Sequence, residues 1–335
     1  MKEGLREAAT VVRHPGPRWK LVFRLVVSGA LLAVLASKAS GVDKAIPDQH
    51  HGLTLTLLAA AVATALLGVV LSSWRWQRVL LLFDVHLRVP TLFSHYVVGL
   101  LVGNVLPSTI GGDVVRIARA SGPIGSSEVS FASVALERLT GFVALSLLVF
   151  LGFAMSPSLI DHEHAWIALL VAVIAIVLLG LILFAAGHPR IAGRFSKRES
   201  WARFVGAVHI GVGRLRREPR QIAPILGTSL LFQCSQVAMF GLIFRALDLP
   251  VPTAAVVAFA PAVLMLQVLP ISFSGLGVRE GALVLFLHSF NVSNTQAGAA
   301  GLLWWGCMVA VSMLGAPAFA VGHRTPSATD TKEPV

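Results

Sequence analysis

The segment AWIALLVAVIAIVLLGLILFAA (165–186) contains 22 residues without a single charged side chain. A helix of about 20 apolar residues is long enough to cross the hydrocarbon core of a bilayer. Comparable apolar stretches recur along the chain, which predicts an integral membrane protein. They lie at 21–37, 53–73, 92–106, 129–153, 165–186, 222–244, 254–270, 276–290 and 299–321.

The overall composition agrees with membrane embedding. Of 335 residues, 56% are hydrophobic and 13% are charged, whereas soluble domains contain about 25% charged residues. This composition excludes a disordered chain, a disulfide scaffold and a secreted enzyme. The apolar stretches show no alternation with a period of two residues, so they predict helices and not the strands of a barrel.

Basic residues are concentrated in particular loops. The N-terminal 20 residues contain five and the loop 187–221 contains nine, whereas 154–164 has no Lys or Arg. The positive-inside rule therefore predicts that both termini are cytoplasmic. The predicted organisation is a basic N-terminus (1–20), one polytopic membrane domain (21–321) and a disordered tail (324–335).

If these loops are cytoplasmic, two regions cannot each make a single crossing. Each must enter the membrane and return to the side from which it started. Residues 92–127 must begin and end inside, and residues 254–290 must begin and end outside. Each region contains a break, LPSTIGGDVVR (106–116) or LPISFSGLGVRE (269–280), and the two breaks share the pattern P-x4-G-x3-R. Proline removes a backbone donor and glycine permits tight reversal. The helix-break residues are Pro107, Gly111, Gly112, Pro270, Gly275 and Gly277.

The predicted fold class is therefore all-α. It has about six full spans plus two broken or re-entrant helical hairpins, eight or so hydrophobic segments, arranged as an inverted repeat with its binding site between the halves. The alternative is that Pro and Gly are simply common in membrane helices. Two basic amphipathic segments, 75–89 and 201–217, either lie along the membrane surface or form solvated loop helices.

A charged residue within an apolar stretch costs roughly 2.5–3.5 kcal/mol of membrane-insertion free energy, so each is expected to have a structural or functional role. Two arginines that converge from opposite leaflets would suit a phosphate, because a guanidinium group binds phosphate oxygens bidentately. The alternative is that these charges form ion pairs that only lock the packing. The candidates for substrate binding and translocation are Asp113, Arg116, Glu137, Arg138, Arg279 and Glu280.

No motif indicates a catalytic or metal centre. The stretch DHEH (161–164) lacks the i, i+4 histidines of a zinc helix, and GLGVREG (275–281) does not follow GxGxxG. We therefore expect no catalytic residue, no metal and no cofactor. Gly99 and Gly103 form a GxxxG spacing that predicts a close helix contact, and Asn104 is expected to link helices.

Three motifs in order, LPSTIGGDVVR (106–116), ERLTG (137–141) and LPISFSGLGVREG (269–281), resemble the membrane region of bacterial lysylphosphatidylglycerol synthases. The resemblance extends to related stand-alone flippase-like proteins and covers residues from about 20 to 321. It implies movement of a lipid between leaflets, with aminoacylation left to a separate cytosolic domain. We expect a stand-alone protein without that domain. The implied signature positions are Pro107, Gly111, Gly112, Asp113, Arg116, Glu137, Arg138, Gly275, Gly277, Arg279 and Glu280.

The predicted function is therefore a flippase-like transporter for a phospholipid or another phosphate-bearing lipid, and not an enzyme. Two alternatives stay open: a membrane-embedded lipid-modifying enzyme, and a non-catalytic membrane partner of an envelope protein. The expected partners are membrane lipids with an anionic or phosphate headgroup, together with a separate lipid-synthesising enzyme. Nucleic acid is not expected, because no basic stripe is interleaved with aromatic residues.

Overall fold

The computed structural model describes residues 51–105, 111–187, 209–215, 217–268 and 275–320. All regular structure within these ranges is helical. The predicted span 21–37, the N-terminal 20 residues, the tail 324–335 and the two break prolines, Pro107 and Pro270, lie outside the described residues.

The helices follow one another with short connections. In chain order they are α1 (His51–Leu81), α2 (Val89–Val105), α3 (Gly111–Ile124), α4 (Ser127–Met155), α5 (Ala165–Gly187), α6 (Ile222–Ala246), α7 (Thr253–Leu266), α8 (Val278–Leu287), α9 (Asn294–Ser312) and α10 (Gly315–Ala320). Residues 209–215 are also helical, and 3-10 turns occupy Pro157–Asp161, Pro219–Gln221 and His288–Phe290.

Four helices in the described ranges are long and apolar enough to cross a membrane. α5 is the most apolar, and it leaves large side chains such as Leu178 and Phe184 exposed, as expected for a helix that faces lipid. The chain is thus a multi-pass membrane protein, whereas its complete number of spans stays a prediction. The four segments are Gly52–Leu81, Ser127–Met155, Ala165–Ile182 and Pro219–Ala246.

The first long helix extends further than its apolar stretch suggests. The interpretation of 75–89 as a separate surface segment is wrong, because α1 continues to Leu81. Trp76, Val79 and Leu80 recur at helical spacing and are fully buried. Arg75 is 4% exposed and so lies inside the protein.

Both regions predicted to reverse direction contain two short helices packed side by side. In α2 and α3, Gly103 approaches Gly112 and Tyr96 approaches Arg116, so the two helices run antiparallel. In α7 and α8, Gln267 approaches Gly275 and Phe259 stacks on Phe286, which gives the same arrangement.

These four helices contain 17, 14, 14 and 10 residues. At 1.5 Å per residue each is shorter than the ~30 Å hydrocarbon core. The lengths support helical hairpins, while the leaflet that each hairpin enters and the inverted repeat stay predictions.

The hairpins are held within a bundle of longer helices. α1 packs along α6, and α4 packs closely on α7, where a side chain at Gly152 would come within 2.7 Å of Ala258 Cβ. α9 contacts both hairpins. Its Ser312 hydroxyl accepts a hydrogen bond from Asn104 of α2 at 3.1 Å, which confirms the predicted interhelical role of Asn104.

Candidate functional site

Glu137 is the centre of a buried ionic network. It lies on α4 and is 2% exposed. Its Oε1 accepts hydrogen bonds from Arg75 Nη2 at 2.6 Å and from Ser72 Oγ at 2.9 Å, and its Oε2 accepts one from Arg116 Nη2 at 2.6 Å. One carboxylate thus joins α1, α3 and α4. Buried charges persist only when they are paired and hydrogen-bonded in this way.

Asp113 extends this network towards the surface. Its Oδ2 pairs with Arg138 Nη2 at 2.6 Å, and its Oδ1 lies 3.4 Å from Arg116 Nη1. The Arg138 side chain is 46% exposed, whereas those of Arg75 and Arg116 are about 5% exposed. We refer to Arg75, Asp113, Arg116, Glu137 and Arg138 as the Glu137 cluster. Its three arginines and two carboxylates give it a formal charge of +1.

Aromatic rings hold the buried arginines in position. The Arg116 guanidinium lies 4.3 Å from the ring centroids of both Trp76 and Tyr96, and the Arg75 guanidinium lies 4.6 Å from that of Phe232. Such cation–π contacts strengthen when water is excluded. Arg116 is therefore fixed between a carboxylate and two ring faces.

Two glycines of α2 allow the close approach of α3, and one of them, Gly99, makes room for Arg116. A side chain at Gly99 of α2 would collide with the Arg116 side chain and would lie 2.9 Å from the Gly112 carbonyl oxygen. At Gly103, the added carbon would lie 3.3 Å from Gly112 Cα. The GxxxG spacing therefore makes the close helix contact that the sequence predicts.

Arg279 and Glu280 form a second buried group, which we call the Glu280 pair. Both side chains are 0% exposed. The Glu280 carboxylate accepts hydrogen bonds from Arg279 Nε at 2.9 Å, from Arg279 Nη2 and from the Gly277 N–H at 2.6 Å. The Arg279 guanidinium lies 4.9 Å from the Trp304 ring of α9.

The backbone before this pair depends on glycine. Gly275 and Gly277 have φ angles of +78° and +83°, which other residues adopt only at a cost. Gly301 of α9 lies against Glu280, and a Cβ there would lie 2.8 Å from Glu280 Oε1. A close contact between α8 and α9 thus seals the pair.

The structure brings together four of the six predicted site residues in the Glu137 cluster: Asp113, Arg116, Glu137 and Arg138. Arg279 and Glu280 lie in the separate pair. Across the described ranges, no hydrogen bond or ion pair joins the two groups. A single ligand bound by both Arg116 and Arg279 therefore stays a prediction.

The sequence reasoning missed Arg75 as a member of the site. It placed this residue in a surface segment because the apolar stretch ends at residue 73. The useful signal was the continued helical spacing of Trp76, Val79 and Leu80, which extends α1 and buries Arg75. Tyr96 and Trp304 carry no comparable signal, since single aromatic residues in apolar stretches are ordinary core residues.

The Glu137 cluster retains hydrogen-bonding capacity. Within the part of the chain that the structure describes, Arg75 Nε, Arg75 Nη1 and Arg116 Nε are buried without a hydrogen-bond partner. Unsatisfied buried donors are unfavourable, and guanidinium groups with free donors bind carboxylate and phosphate oxygens. The cluster is therefore suited to an anion. In the same ranges no group of three His, Cys, Asp or Glu side chains is placed to bind a metal ion.

Comparison with curated protein sequences gives no match. The sequence model described as the lysylphosphatidylglycerol synthase TM region matches residues 21–315, which is most of the chain. The chain therefore belongs to the family of the lysylphosphatidylglycerol synthase TM region.

Proposed function

We propose that this protein is a flippase-like transporter that moves a phospholipid or another phosphate-bearing lipid between the leaflets of the bacterial cytoplasmic membrane. The family relationship supports a lipid-related membrane role. The observation that carries the proposal is the surplus positive charge of the Glu137 cluster, buried among helices that are apolar enough to span a membrane.

The position of the cluster along α4 supports this role. Glu137 is ten residues after Ser127, the first residue of α4. At 1.5 Å per residue, it lies about 15 Å along the helix, near half of the ~30 Å hydrocarbon core. A phosphate that reaches Arg116 would thus be deep in the membrane, where it needs a compensating charge.

Exchange of ion-pair partners would move the lipid headgroup. Arg138 is the exposed member of the cluster, so it meets the phosphate first and releases Asp113. Asp113 and Arg116 both lie on α3, and a change in their pairing acts on the α2–α3 hairpin. The 335 residues contain no Walker A sequence, so we propose that transport follows the lipid gradient or is coupled to an ion.

We further propose that membrane lipids with an anionic or phosphate headgroup are the partners and that a separate enzyme synthesises the transported lipid. Both termini are proposed to be cytoplasmic, as the charged loops predict. No catalytic role is assigned to any residue of the cluster.

Leaflet exchange in proteoliposomes tests the proposal. Vesicles with fluorescent headgroup-labelled phosphatidylglycerol in both leaflets are treated with a membrane-impermeant quencher, so that exchange bleaches the inner leaflet as well. We expect the intact chain to accelerate exchange and Arg116→Gln to abolish it. Arg245→Gln is the matched control, because Arg245 is exposed on α6.

Each other outcome has a defined meaning. Absence of exchange with the intact, folded chain contradicts the proposal, as does normal exchange in Arg116→Gln. A new lipid product detected by mass spectrometry would favour a lipid-modifying enzyme. Full tolerance of neutral residues throughout the Glu137 cluster would favour a non-catalytic membrane partner.

A further inference from the structure

An apolar cleft lies on a different face of α4 from the Glu137 side chain. It has a volume of about 280 Å³ and is enclosed by α4, α5, α6 and the helical residues 209–215. Nine aliphatic side chains and Thr140 line it. The cleft is slightly smaller than the roughly 300–1,000 Å³ of pockets that enclose drug-sized ligands. It therefore suits part of one hydrocarbon chain better than a whole lipid.

The lining has almost no free hydrogen-bonding group for a polar ligand. The Thr140 hydroxyl donates to carbonyl oxygens one turn earlier, that of Leu136 at 3.0 Å and that of Glu137 at 3.1 Å, and it accepts from Ser229 at 3.1 Å. Its hydrogen-bonding capacity is thus used within the protein. An apolar occupant loses no hydrogen bond with water on entering such a site.

One end of the cleft is bordered by positive charge. Leu215 and Ile222 both line the cleft, and the chain between them carries Arg217, Glu218 and Arg220, all exposed, with a summed formal charge of +1. Arg214, one residue before Leu215, pairs with Asp84 at 2.6 Å and ties residues 209–215 to the end of α1. An anionic group at this end would therefore meet two exposed arginines that outnumber the one exposed carboxylate, Glu218.

We propose that the cleft binds one acyl chain of an anionic phospholipid, whose headgroup lies against Arg217 and Arg220. The apolar cleft would hold the acyl chain, and the arginines at its end would face the anionic headgroup to which that chain is joined. The inference requires that the chain is embedded in a membrane, and it does not require that the protein transports a lipid. The cleft is separate from the Glu137 cluster, since Leu136 and Thr140 face the cleft while Glu137 binds Arg75 and Arg116.

Photo-crosslinking of the full chain in vesicles tests this site. The probes are phosphatidylglycerol and phosphatidylcholine with the same diazirine-bearing acyl chain, and crosslinked peptides are identified by mass spectrometry. We expect phosphatidylglycerol to label the peptides that carry Val143 and Leu226 several-fold more than phosphatidylcholine does. Val143→Trp fills the cleft and should reduce this labelling at least fivefold. Leu147→Trp is the matched control, one turn further along α4 at an exposed position.

Three results would overturn the proposal. The first is equal labelling by both lipids, or labelling concentrated on the exposed face of α5, which indicates ordinary annular lipid. The second is unchanged labelling in a folded Val143→Trp variant. The third is absence of lipid labelling in the cleft, which indicates that protein covers it. Replacement of Arg217 and Arg220 by Gln should reduce the preference for phosphatidylglycerol towards equality, and an unchanged preference would exclude the headgroup position.

The same samples separate this inference from the proposed function. Arg116→Gln should lose leaflet exchange while the cleft peptides remain labelled. If the intact chain shows no exchange but its cleft is labelled selectively, the transport proposal fails and the lipid site stands. If exchange occurs without labelling of the cleft, the lipid site fails and the transport proposal stands.

Discussion

The Glu137 cluster and the Glu280 pair begin from the same sequence pattern but differ in the origin of the carboxylate. Arg279 pairs with Glu280, its neighbour in the chain, and both are fully buried. Arg116 instead pairs with Glu137 of another helix, which also binds Arg75. The Glu280 carboxylate is paired with the neighbouring Arg279 of α8, whose Nη1 is buried without a hydrogen-bond partner. The Glu137 carboxylate instead joins three helices.

The two groups also differ in charge and access. The Glu280 pair is neutral, while the Glu137 cluster has a formal charge of +1 and an Arg138 side chain that is 46% exposed. A neutral, sealed pair fixes packing. A charged and accessible cluster can accept an anion. We therefore propose that the first break motif, at Arg116, binds the ligand and that the second, at Arg279, has a structural role.

The largest effect is expected from Glu137→Ala. The variant leaves Arg75 and Arg116 buried without their shared carboxylate, and removal of one partner from a buried ion pair costs about 3–5 kcal/mol. Unfolding followed by denaturant titration in detergent measures the loss. Glu163→Ala, at a side chain that is 71% exposed, is the control and should change little. An equally stable Glu137→Ala variant would contradict the assignment of Glu137 as the organising carboxylate.

The next effect distinguishes a structural pair from a functional one. Arg279→Met alone leaves Glu280 buried and unpaired, and should destabilise by about 3–5 kcal/mol. The double variant Arg279→Met/Glu280→Leu removes both charges and should recover most of this loss, because apolar replacement of a whole buried pair is often neutral. A double variant that is as unstable as the single variant would show that the charges do more than neutralise each other.

A smaller effect is expected from Gly99→Ala on α2. The added methyl collides with Arg116 and with the backbone of α3, and overpacking of this kind costs about 1–3 kcal/mol. Gly122→Ala on α3 is the control, because nothing lies within 4 Å of its added carbon. Equal stability of the two variants would show that α2 and α3 separate readily at this contact.

The smallest effect on stability is expected from Arg138→Gln. Its side chain is half-exposed and Asp113 keeps its contact with Arg116, and ion pairs with solvent access contribute about 0–1 kcal/mol. A loss well above this range in the same denaturant titration would place Arg138 with the buried structural charges.

Much of this architecture could be predicted from the sequence, because the hydrophobic effect acts on local composition. Apolar length located the helices that include 129–153 and 165–186, and the pattern P-x4-G-x3-R located both hairpins. Charged residues in apolar stretches identified Asp113, Arg116, Glu137 and Arg138 as candidates, and the structure joins them in one network.

The partners of these charges could not be predicted in the same way. Pairing depends on which helix faces carry the side chains, and one residue of α1, Arg75, lies beyond its apolar stretch. The sequence likewise gives equal weight to Arg116 and Arg279. Their different surroundings arise from the contacts of α3 with α4 and of α8 with α9.

Leaflet exchange measured side by side in two folded variants distinguishes the two groups most directly. The vesicles contain headgroup-labelled phosphatidylglycerol and equal amounts of Arg138→Gln or Arg279→Met/Glu280→Leu protein. We predict that Arg138→Gln reduces the exchange rate at least tenfold and that the double variant retains most of it. Normal exchange in Arg138→Gln together with loss in the double variant would contradict the assignment of the lipid phosphate to the Glu137 cluster.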